Sequence, residues 1–159
     1  MQQTIENRNK LNTAKILLGV VFLMCGCFIY LLFRSKTLYI YLWCKTIGLS
    51  QFIDTLRYMV NDWSLNDFIK YCLPDGLYCA AYILIIDAIW HDDNRLIKYI
   101  ILSVVPFITI TSEVLQYFGF VQGTFDFKDL LCYTIPPLVY TVILFINLFK
   151  YNFLKAKRL

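Results

Sequence analysis

The chain has 159 residues, 59% of them apolar, and 15 Lys and Arg against 11 Asp and Glu give a net charge of +4. A mean hydropathy of +0.59 and an aromatic content of 18% exclude an ordinary soluble domain, which stays nearer half apolar. The length excludes more than one domain of usual size, and the basic residues sit in short segments between apolar runs rather than in one nucleic-acid-binding patch.

The N-terminal segment MQQTIENRNKLNTAK is polar and basic, and an apolar run from Ile16 to Phe33 follows it. The order is that of a signal peptide, but the run is long for one, and Arg34-Ser35-Lys36 stands where small residues would mark a cleavage site. It reads as an uncleaved signal anchor and first membrane span. Gly19 and Gly26 lie seven residues apart on one of its faces, where another helix can come close.

From Arg34 to Tyr71 charges interrupt the apolar residues too often for a span. The aromatic side chains there, Tyr39, Tyr41, Trp43, Phe52, Tyr58 and Trp63 among them, predict one or two amphipathic helices lying at a membrane surface. A second span is predicted over about Leu73 to Trp90, a third over about Tyr99 to Val121 with Pro106 inside it, and a fourth over about Asp129 to Phe149. The expected fold is therefore an all-α integral membrane protein. It is a single membrane domain, a bundle of about four transmembrane helices with an amphipathic interfacial segment between the first and second.

Orientation follows from the basic residues of the short loops. Arg8, Lys10 and Lys15 precede the first span, Arg95 and Lys98 follow the second, and Lys150, Lys155, Lys157 and Arg158 lie at the C-terminal end. With four spans these three segments share one side, whereas the loop before the fourth span has Lys128 alone. Both termini are expected in the cytoplasm, with the segment 34–71 and the loop Gly123-Thr124-Phe125-Asp126 outside.

Charges inside spans are costly and mark functional candidates. Glu113 lies within the third span, and Thr109, Glu113 and Gln116, at i, i+4 and i+7, form a polar stripe. In the expected topology Asp75 opens the second span from outside, Asp126 and Asp129 open the fourth, and Glu113 and Gln116 approach the same face along the third. Two readings stay open. The five residues line an acidic cavity that holds a cation, a proton, or the amine or hydroxyl groups of a ligand. Alternatively the aspartates are helix caps and Glu113 is polar glue between helices. A second group, Asp87, His91, Asp92 and Asp93, looks like a metal-ligand set but reads more simply as a solvated turn beside Arg95. Cys25, Cys27, Cys44, Cys72, Cys79 and Cys132 have no zinc-site spacing and read as packing residues, with pairing of Cys44 and Cys72 left open. No cofactor motif, phosphate-binding loop or nucleophile elbow is visible, and the sole histidine, His91, is expected on the side away from the acidic residues. No catalytic residue is assigned.

The stretch SEVLQYFGFVQGTFDFKDLLCY, Ser112 to Tyr133, resembles the signature of the VanZ-like family of small bacterial membrane proteins. An acidic residue and a Gln three apart end a helix (Glu113, Gln116). A Gly-containing turn follows (Gly123, Thr124), then an aromatic (Phe125), two Asp three apart (Asp126, Asp129) and a last span. Asp75 and Tyr82 resemble the family's acidic and aromatic positions on an earlier helix. The likeness covers about Leu73 to Val142, and it departs at the turn, where Gln122 or Gly123 replaces an Arg, and at Tyr133, which replaces an Asn. It also departs after Asp75, where Gly76 and Cys79 stand at basic and His positions. The resemblance implies a bacterial cytoplasmic membrane and a role in the cell envelope or in tolerance of glycopeptide antibiotics. The expected partners are membrane lipids and other membrane protein subunits, with no nucleic acid. Either the acidic pocket binds an envelope ligand, such as a lipid-linked intermediate or a lipidated antibiotic, or the chain is an accessory subunit of a larger secretion, transport or polysaccharide complex. Ion or proton carriage by Glu113 is a third, weaker option, because no relay of acids crosses the inner half.

Overall fold

A computed structural model describes residues 2–63, 65–90 and 95–156. The described residues form six α-helices and no strand: α1 (Gln2–Phe33), α2 (Tyr39–Thr46), α3 (Ser50–Met59), α4 (Leu73–Ile89), α5 (Arg95–Tyr117) and α6 (Phe127–Ala156), with a π-helical turn, Phe68–Cys72, leading into α4. Four stretches are long and apolar enough to cross a bilayer: Glu6–Phe33, Phe68–Ile89, Leu96–Tyr117 and Phe127–Lys150. The chain is an all-α, multi-pass membrane bundle.

Several boundaries differ from the sequence expectation: the first stretch begins at Glu6 instead of Ile16 and the third at Leu96 instead of Tyr99, and two further shifts have a local cause. The second span starts five residues early, at Phe68. Pro74 explains the irregular entry, because it has no N–H for the carbonyl of Lys70 and its ring crowds that turn. The third span ends at Tyr117 instead of Val121. Gly119, at φ +75°, donates to the carbonyl of Gln116, and Phe120 donates to that of Leu115. This paired closure satisfies the last carbonyls of α5 and needs a left-handed residue at Gly119. Pro106 sits inside α5 without ending it.

Helix α4 packs against α1, α5 and α6, and it is the most buried of the four spans. Its sequence, LPDGLYCAAYILIIDAI, is apolar around its middle, as a central helix requires, with Asp75 and Asp87 near its two ends. Small residues set the approach distances, since lipid leaves no hydrophobic drive between helices. A Cβ on Gly19 would meet Ile85 Cγ1 at 2.7 Å, one on Gly26 would meet Tyr78, and one on Gly76 would lie 3.2 Å from the Cys132 carbonyl oxygen. Cys79, Ile83 and Leu102 form the apolar centre, with Tyr82, Ile86 and Tyr140 around it.

Between α1 and α4 the expected amphipathic segment forms α2 and α3. Tyr41 and Ile53 face inward, while Tyr39, Trp43, Phe52, Tyr58 and Trp63 stay exposed. Arg57 of α3 donates to the carbonyls of Leu32, in the last turn of α1, and of Arg34, just past it, so that α3 is tied across the end of the bundle.

Candidate functional site

The end of the bundle nearest α2 and α3 gathers polar residues from all four spans. On α4, Asp75 accepts a 2.6 Å hydrogen bond from the Tyr30 hydroxyl of α1, and Arg34 Nη2 lies 3.8 Å from its other oxygen. The Arg34 guanidinium also donates to the Tyr71 carbonyl and stacks over the Tyr30 and Tyr71 rings at 4.8 and 4.9 Å. Tyr133 of α6 is a further donor beside Asp75. Asp75 is therefore no helix cap. It lies in the first turn of α4, whose N-cap, Cys72, makes no side-chain cap bond.

Asp126 does cap α6, since its Oδ1 accepts the Lys128 N–H at 2.8 Å. Its own N–H goes to the Glu113 carboxylate of α5. A glutamate three residues into α6 would ordinarily take that N–H. Glu113 takes it instead, so the acid of the third span is clamped onto the start of the fourth. Glu113 is 7% exposed, and its Oε2 has no hydrogen-bond partner among the described residues. Asp129, one turn into α6, is likewise left with Oδ1 buried and unpartnered. Its carboxylate takes a hydrogen bond from the Cys72 thiol, and Cys72 is 2% exposed. The Cys72, Asp126 and Asp129 side-chain ligand atoms lie within 4.8 Å of one another.

Gln116 packs its amide against Gly123, where a Cβ would come within 2.8 Å. At φ +145° that position also requires glycine. Thr109, the third member of the expected stripe, turns away and bonds the carbonyls of Val105 and Pro106 within its own helix. Tyr82 is not part of the cluster either, because its hydroxyl reaches the Ile101 carbonyl of α5 at 2.5 Å.

The five acidic and amide residues singled out in the sequence thus stand at one end of the bundle. Tyr30, Arg34 and Cys72 were missed. A weak signal existed, because Tyr30 and Arg34 are four apart at the end of a span, and Cys72 precedes Asp75 by three on the same helix face. Four carboxylates gather at this end and one of them, Asp75, pairs with the Arg34 guanidinium, so protons or a cation would lower the cost of ionising the others.

Asp87 marks the opposite end. It is 5% exposed and takes the Lys15 ammonium at 2.6 Å, that of Lys98 at 2.5 Å and the Tyr140 hydroxyl at 2.6 Å. Its environment is an ion cluster that joins α1, α4, α5 and α6, not a solvated turn. His91, Asp92 and Asp93, the rest of the suggested metal-ligand set, lie outside the described residues. All six cysteines are free thiols, Cys44 and Cys72 included. A polar cleft of about 550 Å³ beside α3 is lined by Lys36, Asp54, Arg57, Trp63 and Lys70. Comparison with known proteins adds no assignment, because no family model, no curated protein and no solved structure matches the chain.

Proposed function

We propose that the chain is a VanZ-like protein of the bacterial cytoplasmic membrane. In this reading its acidic pocket opens on the outer face and binds an envelope ligand, a lipid-linked intermediate or a lipidated antibiotic, through that ligand's hydroxyl or amine donors. One observation carries the reading. Glu113 is buried, clamped by the Asp126 N–H, and still has an unpartnered oxygen. A glutamate that served only as glue between helices would have both oxygens satisfied, since an unpaired buried acceptor costs about 1–3 kcal/mol. Asp75, held by Tyr30 and Arg34, forms one wall. Gln116, fixed on Gly123, closes the turn side, and Asp126 and Asp129 stand at the mouth.

The outward direction of the pocket rests on the excess of Lys and Arg in the segments at the other end of the bundle. Both termini are then cytoplasmic.

Expression in a susceptible bacterium tests the function. The wild-type chain is expected to raise tolerance of a lipidated glycopeptide severalfold, and Glu113→Gln to abolish the gain at unchanged membrane abundance. Equal tolerance in the two strains would remove Glu113 from the function.

A further inference from the structure

We infer that the pocket contains a divalent-cation site of zinc-type chemistry, built from Cys72 Sγ and the carboxylates of Asp126 and Asp129, with the free oxygen of Glu113 beside it. The proposal deepens the acidic-pocket reading and rests on it.

Donor chemistry comes first. One thiolate and several carboxylates form a mixed soft and hard set, which suits Zn²⁺ and its spectroscopic substitute Co²⁺ better than Mg²⁺ or Ca²⁺, whose shells are all oxygen. Geometry comes next. A tetrahedral zinc with bonds of about 2.0–2.3 Å holds neighbouring donors about 3.5 Å apart. The three donors already lie within 4.8 Å of one another, so small side-chain rotations close the site.

Glu113 is the second, independent observation. It comes from a different helix, is 7% exposed, and meets Asp126 through the backbone N–H. Its Oε2 has no partner, and neither has Asp129 Oδ1. Unsatisfied acceptors are costly in an apolar setting, and one of the two, Asp129 Oδ1, is on the carboxylate that the buried Cys72 thiol bonds. A cation held by Cys72, Asp126 and Asp129 gives Asp129 a partner and offsets negative charge next to Glu113, whose carboxylate stands outside the three-donor set. On binding, Cys72 loses its proton to solvent through the exposed Asp126 mouth, and the thiolate bonds to the metal.

The backbone is shaped for this arrangement. Cys72 ends the π-helical turn, Phe68–Cys72, an irregularity that often re-aims a functional side chain. Asp126, the N-cap of α6, and Asp129, in its first turn, are brought to the same thiol.

Titration of the purified full chain in detergent with Co²⁺ alone tests the site. The expected result is a saturable thiolate-to-cobalt charge-transfer band at one ion per chain, displaced by Zn²⁺. Cys72→Ser should remove the band. Asp129→Asn, which is isosteric, should weaken binding at least tenfold while the helical circular dichroism stays that of the wild type. No saturable band, or an undiminished band in Cys72→Ser, overturns the proposal. The glycopeptide-tolerance assay separates the two readings. A tolerance gain that Glu113→Gln abolishes, from a chain that binds no Co²⁺, keeps the pocket and removes the cation.

Discussion

Replacing Asp87 by Ala leaves the ammonium groups of Lys15 and Lys98, which now converge on its carboxylate, without a counter-charge inside the bundle. Breaking such a buried pair from one side costs about 3–5 kcal/mol. The lower part of that range applies here because Lys15 keeps some solvent contact. Asp87→Ala should therefore lower the thermal midpoint in detergent by several degrees, whereas Tyr140→Phe, which removes one hydrogen bond, should cost about 1 kcal/mol. Equal effects would show that the carboxylate is not the centre of the cluster. Glu113 behaves oppositely. Its surroundings are acidic, and Glu113→Gln removes a poorly compensated charge, so its stability is expected to hold or rise while the function in the pocket is lost. The sequence could point to Glu113 because an acid inside a span is conspicuous on its own. It pointed only weakly to Tyr30 and Arg34, whose role depends on meeting Asp75 some forty residues later in the chain.

At the scale of elements, the seam between α1 and α4 depends on glycines. Gly19→Leu would force a side chain into Ile85 and the Ala81 carbonyl, where even a Cβ comes within 2.7 Å. Overpacking of this kind costs about 1–3 kcal/mol, and it should appear as a lower unfolding midpoint, whereas Leu17→Ala, on an exposed position, should leave the midpoint within experimental scatter. Helix α3 has an electrostatic tether as well. Lys36 donates to Asp54 and holds its carboxyl below the usual carboxylate range, with Tyr41 adding a second bond. The depressed folded value means that the tether is fully present above the unfolded carboxylate pKa and is lost as pH falls through the folded one. The pair is solvent-exposed, so salt should weaken it. An NMR titration should find the Asp54 midpoint lowered in the wild-type chain and moved back up in Lys36→Met. An identical midpoint in both would show that the ion pair does not form. The amphipathic character of α2 and α3 was legible from their aromatics. The tether was not, since it joins residues on either side of two turns.

For the whole molecule, the two buried polar clusters sit at opposite ends of one central helix. Asp75 is near the start of α4 and Asp87 near its end, so a single helix links the acidic pocket to the lysine-bound end. The proposed topology puts those ends on opposite sides of the membrane. In a background lacking reactive cysteines, a membrane-impermeant maleimide applied to intact cells should label Gln122→Cys and spare Asn9→Cys. The reverse pattern would turn the pocket toward the cytoplasm and remove its access to envelope ligands from outside. Helix α6 leaves most of its length unburied, which lipid alone can cover. A partner recovered in fixed ratio after purification in mild detergent would favour the accessory-subunit reading instead.

Hydropathy and charge determined the spans, their number and the interfacial character of the segment between the first two, because those properties are sums over consecutive residues and need no partner. The same arithmetic brought Asp75, Glu113, Gln116, Asp126 and Asp129 to one end, since four antiparallel spans alternate direction. The cap made by Asp126 is local and was among the sequence readings, but tertiary structure decided the rest: Asp75 became the partner of Tyr30 and Arg34, and Asp129 the neighbour of Cys72. Glu113 was left with a free oxygen, and Asp87 became the centre of an ion cluster. Such roles depend on which side chains meet within about 3 Å, and that is set by how glycines and small residues let α1, α5 and α6 close on α4.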